Sequence, residues 1–251
     1  MDISSENQFV TNNDRVLYIA FIGDLVASRR FPPDLRHQVQ ERLRVLLDSL
    51  NHEFKTALVA GFTITSGDEF EGLLNSRSAA EVLPKIVWHI EEAFLDLTQH
   101  TDNDPIKTRM GIGLGTIDTA IEANPNVIDG PAFHTAREAI RLAAKTRSLG
   151  GVFAGFGEPH DTILNGLARV LHHQRTRWSP QQHRLAQLLH QGIRKTDAAI
   201  KLSLTKQAVT SYAQSAGWQA YVEGESAWGK AIELSLSSVR QNDPQTGAHC
   251  V

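Results

Sequence analysis

The fold is decided by Arg15-Val16-Leu17-Tyr18-Ile19-Ala20-Phe21-Ile22, which is followed at once by Gly23-Asp24. A short run dense in β-branched and aromatic residues, without polar alternation, reads as a strand buried on both faces and stopped by Gly23. Asp24 then sits just past the strand's end, where a sheet edge meets solvent.

Working outward, Pro32 and Pro33 suit a first helical turn, and Leu35, Val39, Leu43, Leu46, Leu47 and Leu50 repeat with helical spacing, predicting an amphipathic helix to about Phe54. Residues 57–65 (ALVAGFTIT) read as a second strand and Ser66-Gly67-Asp68 as a turn. Glu69 to Leu74 fits either a third strand or a short helix, with a hairpin the preferred reading. Val82, Ile86, Ile90, Ala93, Phe94 and Leu97 mark a further helix, closed by the polar stretch His100 to Pro105. Residues 107–117 (KTRMGIGLGTI) read as a strand whose Gly111, Gly113 and Gly115 free one face for the close approach of a helix or a ligand. Asp129-Gly130-Pro131 opens a helix with Ala132, Ala136, Ile140 and Ala143 on one face, and residues 151–156 (GVFAGF) supply a last strand. The order begins like a ferredoxin-like split unit, so the fold class is α/β (α+β), one sheet carrying packed helices.

A chain of 251 residues has room for one large domain, or one of ordinary size plus a small one; two units is the preferred division. Residues 15–157 form the α/β domain, 158–178 a basic linker helix and 179–239 a helical module, with 1–14 and 240–251 as flexible ends. A hydrophobic share of 41% and a charged share of 21% are those of a folded globular chain. A net charge of -3 excludes a uniformly basic coat, so any nucleic-acid contact must be local. The only cysteine is Cys250, which leaves no disulfide framework and no cysteine metal site within one chain. No apolar stretch reaches the roughly 18 residues of a membrane span, and residues 1–14 lack a basic start followed by an apolar run. A cytoplasmic protein without a membrane partner is the expectation.

Adjacency of the first strand to the hairpin would bring Asp24 together with Asp68-Glu69. Mg²⁺ takes oxygen ligands and usually one or two carboxylates plus substrate phosphates, so Asp24 and Asp68 suffice chemically, with Glu69 a possible extra ligand. Aspartate is also common in plain loops and turns, and spacing alone leaves that alternative open.

Four segments occur in order: Phe21-Ile22-Gly23-Asp24-Leu25-Val26, Thr63-Ile64-Thr65-Ser66-Gly67-Asp68-Glu69-Phe70, Arg109-Met110-Gly111-Ile112-Gly113-Leu114-Gly115 and Gly130-Pro131-Ala132-Phe133-His134-Thr135-Ala136-Arg137. Together they resemble class III nucleotidyl cyclases, and the Ser-Gly-Asp-Glu-Phe turn also resembles that of diguanylate cyclases of the GGDEF type, which share a palm-type sheet. The whole string looks closer still to the SatD family. The resemblance implies Asp24 and Asp68 as metal ligands and Asp24, Leu25, Val26, Arg109, His134 and Arg137 as nucleotide-binding residues. It also implies a homodimer. His134 stands where the cyclases carry a transition-state asparagine, and Glu138 where they carry an arginine, Arg137 falling one residue early. His134 and Arg137 are therefore only candidates for catalytic roles, and the chain leans toward binding without turnover.

Near the C-terminus, Ala199, Ser203 and Val209 stand at the spacing of the small residue, tight turn and apolar anchor of a helix-turn-helix. Thr205 can cap a second helix whose exposed start carries Lys206, Gln207, Thr210 and Ser211, where recognition helices meet base edges, with Lys195 nearby for the backbone. Gly217 to Trp228 reads as a wing or a continuing helix, its two tryptophans as core. A dimerisation or docking element is the alternative reading of the same segment, with DNA binding preferred. The leading expectation is a regulator that binds a nucleotide with Mg²⁺ in the cyclase-like domain and double-stranded DNA through the helix-turn-helix. An active nucleotidyl cyclase or transferase, or a degenerate interaction module, are the alternatives.

Overall fold

The computed structural model describes residues 16–95, 97 and 106–241; the expected flexible end 1–14, the stretch His100 to Pro105 and the tail beyond Gln241 lie outside the described residues. The elements follow the expected order: β1 (Tyr18–Leu25), α1 (Pro33–Glu53), β2 (Leu58–Ser66), β3 (Glu69–Asn75), α2 (Ala79–Glu92), β4 (Thr108–Gly115), α3 (Pro131–Thr146) and β5 (Val152–Ala154). Helices α4 (His160–Thr176), α5 (Pro180–His190), α6 (Lys195–Lys201), α7 (Lys206–Ser215) and α8 (Trp218–Gln241) complete the chain.

The five strands form one mixed sheet in the order β2-β3-β1-β4-β5, with β1 antiparallel to both β3 and β4, β2 antiparallel to β3, and β5 parallel to β4. Glu69 to Leu74 is thus a strand and the hairpin reading holds. β1 begins three residues later than expected and runs through Gly23 to Leu25, which places Asp24 within the strand. Gly23 is not a stop: the ring of Phe70 lies against it, 2.2 Å from where a Cβ would stand, so the position needs a residue without a side chain while the strand continues.

β1 is covered on both faces, as its unbroken apolar run requires. Ile19 and Phe21 point into the principal core with α1 and α2, where Phe21, Phe62 and Phe70 form an aromatic group. Each such fully buried ring contributes about 1.5–3 kcal/mol of transfer free energy. Ala20 and Ile22 face the other way, against Phe133 and Ala136 of α3. Helix α3 lies on the glycine strand: a Cβ on Gly113 would stand 2.3 Å from the Ala136 nitrogen and 2.5 Å from the Ala132 oxygen. The face freed by Gly111, Gly113 and Gly115 is filled by a helix, not a ligand.

The segment expected as a linker helix is α4, whose Leu164, Ala168 and Leu171 lie in the principal core beside Tyr221, Trp228, Ile232 and Leu236 of α8. Trp88 of α2 stacks on His190 at 4.2 Å between ring centres and has Trp178, Trp218 and Tyr221 around it. Helices α5, α6 and α7 keep a small core of their own, built from Leu185, Ala198, Ala199, Val209 and Ala213. No wing follows α7, because Trp218 to Gln241 is one continuous helix whose Trp228 and Ile232 are buried on its inner side. As expected, both tryptophans of this stretch serve the core.

Candidate functional site

The β1–β4 register sets Asp24 directly opposite Arg109. The guanidinium grips the carboxylate at both oxygens, Nε donating to Oδ1 at 2.9 Å and a terminal nitrogen to Oδ2 at 2.6 Å. The β2–β3 turn, with Gly67 in the left-handed region at φ 64°, brings Asp68 to the same place, where its Oδ2 accepts the Leu25 N–H at 3.2 Å. Glu69 stands at the start of β3, its carboxylate accepting from the Thr65 hydroxyl at 3.3 Å.

These residues floor a cleft of about 990 Å³, closed on its other side by Ser28, Arg29, Arg30, Phe31, Arg36, Val39 and Gln40. Arg29 and Arg30 lie in a single 3₁₀ turn entered through Ala27, a non-glycine residue in the left-handed region at φ 61°. Arg36 holds that turn in place by donating to the carbonyls of Arg29 and Phe31. Strained backbone of this kind costs about 1–3 kcal/mol and gathers at functional sites. Three carboxylates and four guanidiniums thus share one cleft.

Burial lifts the Asp24 carboxyl above its usual range, Arg109 pulls against that, and the negative charge of Asp68 adds to it. Among the described residues nowhere do three His, Cys, Asp or Glu side chains gather as a metal cage. What Asp24 and Asp68 offer is two hard carboxylate donors, the set that suits a Mg²⁺ taking its remaining ligands from phosphate and water.

Other expected residues lie elsewhere. The Val26 N–H is bonded to the Lys107 carbonyl and the Leu25 N–H to Asp68, so both amides after Asp24 are already satisfied. His134 and Arg137 do not line the cleft. Both project from α3 toward Asp129, at 3.1 Å and 3.5 Å, and Arg137 also faces the buried Glu71 at 3.7 Å. Burial lifts the Glu71 carboxyl, with Arg137 opposing.

In the C-terminal helices, Ser203 adopts φ 53° in the turn between α6 and α7, and the Thr205 hydroxyl accepts the Ala208 N–H at 3.1 Å. Lys195, Lys206, Gln207, Thr210 and Ser211 are exposed. Arg194 is held by Asp197 at 2.9 Å, which removes one cation from that surface.

Compared with protein-family models, the sequence matches the SatD family over residues 18–229, from β1 into α8. The chain belongs to the SatD family. A search of curated proteins finds no match. Among solved structures, the chain is similar to a bacterial light-regulated adenylyl cyclase (18% identity, 55% of this chain and 75% of the other, TM-score 0.41). It is also similar to the non-canonical dimeric guanylyl cyclase domain of the RhoGC fusion protein from the aquatic fungus Blastocladiella emersonii (15% identity, 51% and 74%, TM-score 0.37). A GGDEF domain from Pseudomonas aeruginosa superposes comparably (19% identity, 57% and 86%, TM-score 0.36). Superpositions this loose add nothing to the site, whose geometry stands on the hydrogen bonds above.

Sequence reasoning missed Arg29, Arg30 and Arg36. For Arg29 and Arg30 the signal was present as an Arg-Arg pair in the short connection between Asp24 and Pro32-Pro33; Arg36 lies within α1 and carried no such mark. It also missed the pairing of Asp24 with Arg109, which depends on strand register. No helix among the described residues is long and apolar enough to cross a membrane.

Proposed function

We propose that the cleft binds a nucleoside triphosphate with Mg²⁺ and that the chain is a nucleotidyl cyclase or transferase. The observation that carries this reading is the meeting of two strand-edge carboxylates with four arginines in one cleft large enough for a nucleotide. Asp24 and Asp68 would hold Mg²⁺, which when bound neutralises phosphate charge and favours attack of a hydroxyl on the α-phosphate. Arg29 and Arg30, exposed at the cleft mouth and without ion-pair partners among the described residues, present charge to the polyphosphate. Phe31 and Val39 supply the apolar part of the cleft wall. His134 and Arg137 do not line this cleft: their side chains, 60% and 41% exposed, are drawn to Asp129, although Arg137 also reaches Glu71 on the sheet face that carries Asp24. Pairing of two copies would supply them, and the homodimer is proposed on that ground.

The test is incubation with ATP and GTP in the presence of Mg²⁺, followed by chromatography of the nucleotide. A new product formed by wild type and absent with Asp24→Asn is the expected result. Intact nucleotide together with Mg²⁺-dependent binding would leave a sensor. Neither product nor binding would leave an interaction module.

A second reading, a DNA-binding regulator controlled by that cleft, is favoured by one observation. The left-handed Ser203 turn sets α7 behind α6 with Lys206, Gln207, Thr210 and Ser211 all outward. Duplex binding that weakens steeply with salt, and less steeply in Lys206→Ala, is its signature.

A further inference from the structure

Both oxygens of Asp24 are taken by Arg109, and the pairing is fixed by the sheet rather than by a loop. The two residues are register partners on adjacent strands, their side chains 24% and 23% exposed, and the hydrogen bonds are short and two-pronged. Asp68, by contrast, is met by a backbone N–H and, among the described residues, by no cationic side chain. Of the two aspartates, Asp68 is therefore open to a cation and Asp24 already neutralised.

A divalent ion approaching Asp24 meets the guanidinium at both oxygens, and although each keeps a second lone pair, repulsion between the two cations at that range favours swinging the guanidinium off. The displaced cation then lies part-buried in a cleft that already contains Arg29, Arg30 and Arg36. A charge stripped of its partner in such a place is costly, because it has lost both water and its counter-ion. The cost disappears if an anion enters with the metal and takes the freed guanidinium, and a polyphosphate, with its several oxygens, matches the planar fork of arginine.

We propose that Arg109 is an internal counter-cation that keeps the Asp24–Asp68 pair closed to free divalent ions and opens it only when a phosphate chain arrives to draw the guanidinium away. This inference rests on the nucleotide reading of the same cleft and gives it a regulation: metal and phosphate bind together or not at all, and cellular Mg²⁺ alone leaves the site shut. Arg109 thus acts on the metal through Asp24 and, once drawn away, on the phosphate directly.

The experiment titrates the full chain with Mn²⁺ alone, following free ion by paramagnetic resonance, and separately with Mg²⁺-tripolyphosphate by calorimetry. Wild type is expected to take up Mn²⁺ weakly. Arg109→Met is expected to bind it about tenfold or more tightly, since hydrogen bonds to charged groups are among the stronger kind, and the gain should vanish in Arg109→Met/Asp24→Asn. Arg109→Lys, whose compact ammonium cannot cover both oxygens, should fall between, and it keeps the test usable if the Met variant folds poorly. Mg²⁺-tripolyphosphate should bind wild type. If it does and neither Arg109 variant gains Mn²⁺ affinity, the counter-cation role is overturned while the nucleotide reading stands. If Mg²⁺-tripolyphosphate fails to bind wild type, the phosphate step is wrong, and this proposal falls with the reading it rests on.

Discussion

Replacing Arg175 by methionine should unfold the junction between the sheet layer and the C-terminal helices more than any other single polar substitution. Arg175 of α4 is 4% exposed. Its guanidinium bonds the carboxylates of the consecutive residues Glu91 and Glu92, the latter at 2.6 Å, and lies 4.3 Å from the centre of the Trp88 ring. Gln187 of α5 donates to Glu92 at 3.0 Å and His172 meets Glu91 at 2.7 Å, so one cation ties α2 to α4 and α5. Burial opposes the charge on Glu91, yet Arg175 and His172 outweigh it; burial likewise opposes Glu92, where His183 and Arg175 prevail. Both carboxyls are held below their usual value of 4.5, so their contribution is fully present above that pH and is lost as pH falls through the lowered native values. Arg175→Met keeps the bulk of the side chain and leaves two buried carboxylates without the guanidinium they share, each keeping only a histidine, His172 or His183, to pair with its charge. Breaking a buried pair in this way costs about 3–5 kcal/mol. The assay is urea unfolding of both proteins from pH 7 to pH 4. Wild type should exceed the variant by that amount near pH 7, and the gap should narrow on acidification as the orphaned carboxyls take up protons. A loss under about 1 kcal/mol, or a gap independent of pH, would refute the reasoning.

Three further substitutions probe separate parts of the structure. Gly113→Ala pushes a methyl into the α3 backbone at 2.3 Å, which cannot yield as a flexible side chain would, and should cost about 3 kcal/mol in the same unfolding assay. Ala27→Gly relieves a left-handed alanine at φ 61° and should gain about 0.5–1 kcal/mol, read as a higher urea midpoint with unchanged slope. Thr205→Ala removes the cap of α7 and should cost about 1 kcal/mol, seen as faster amide exchange in α7 while β1 amides are unchanged.

Much of the fold was legible because it is written in periodicities. The run ending in Phe21-Ile22 announced a strand covered twice, and Leu35 to Leu50 announced α1, since both patterns are consequences of which faces are buried. The alternating glycines of β4 were legible as a close approach, though the partner, α3, was not, because a missing side chain does not say what fills its place. Gly23 misled for the same reason: glycine as strand terminator and glycine as space for Phe70 look alike in one dimension. The site was half legible. Asp24 and Asp68 stand out as acids at strand edges, whereas the clamp from Arg109 depends on register across 85 residues, and Arg29, Arg30 and Arg36 converge only once α1 turns back over the sheet. Arg175 continues the Leu164, Ala168 and Leu171 face of α4, which marks it as turned inward, but its partners Glu91 and Glu92 belong to α2 and no pattern within α4 names them.

The central claim is that the cleft takes a nucleotide with Mg²⁺ through Asp24 and Asp68, and thermal unfolding tests it most directly. Wild type and the Asp24→Asn/Asp68→Asn double variant are heated with ATP or GTP, each with Mg²⁺ and with EDTA. Ligand at a hundred times its Kd adds about 2.7 kcal/mol, which at this chain length raises Tm by about 5–10 °C. The account predicts that rise for wild type with Mg²⁺ and for no other sample. An equal rise in the double variant, or none in wild type at millimolar nucleotide, would contradict it.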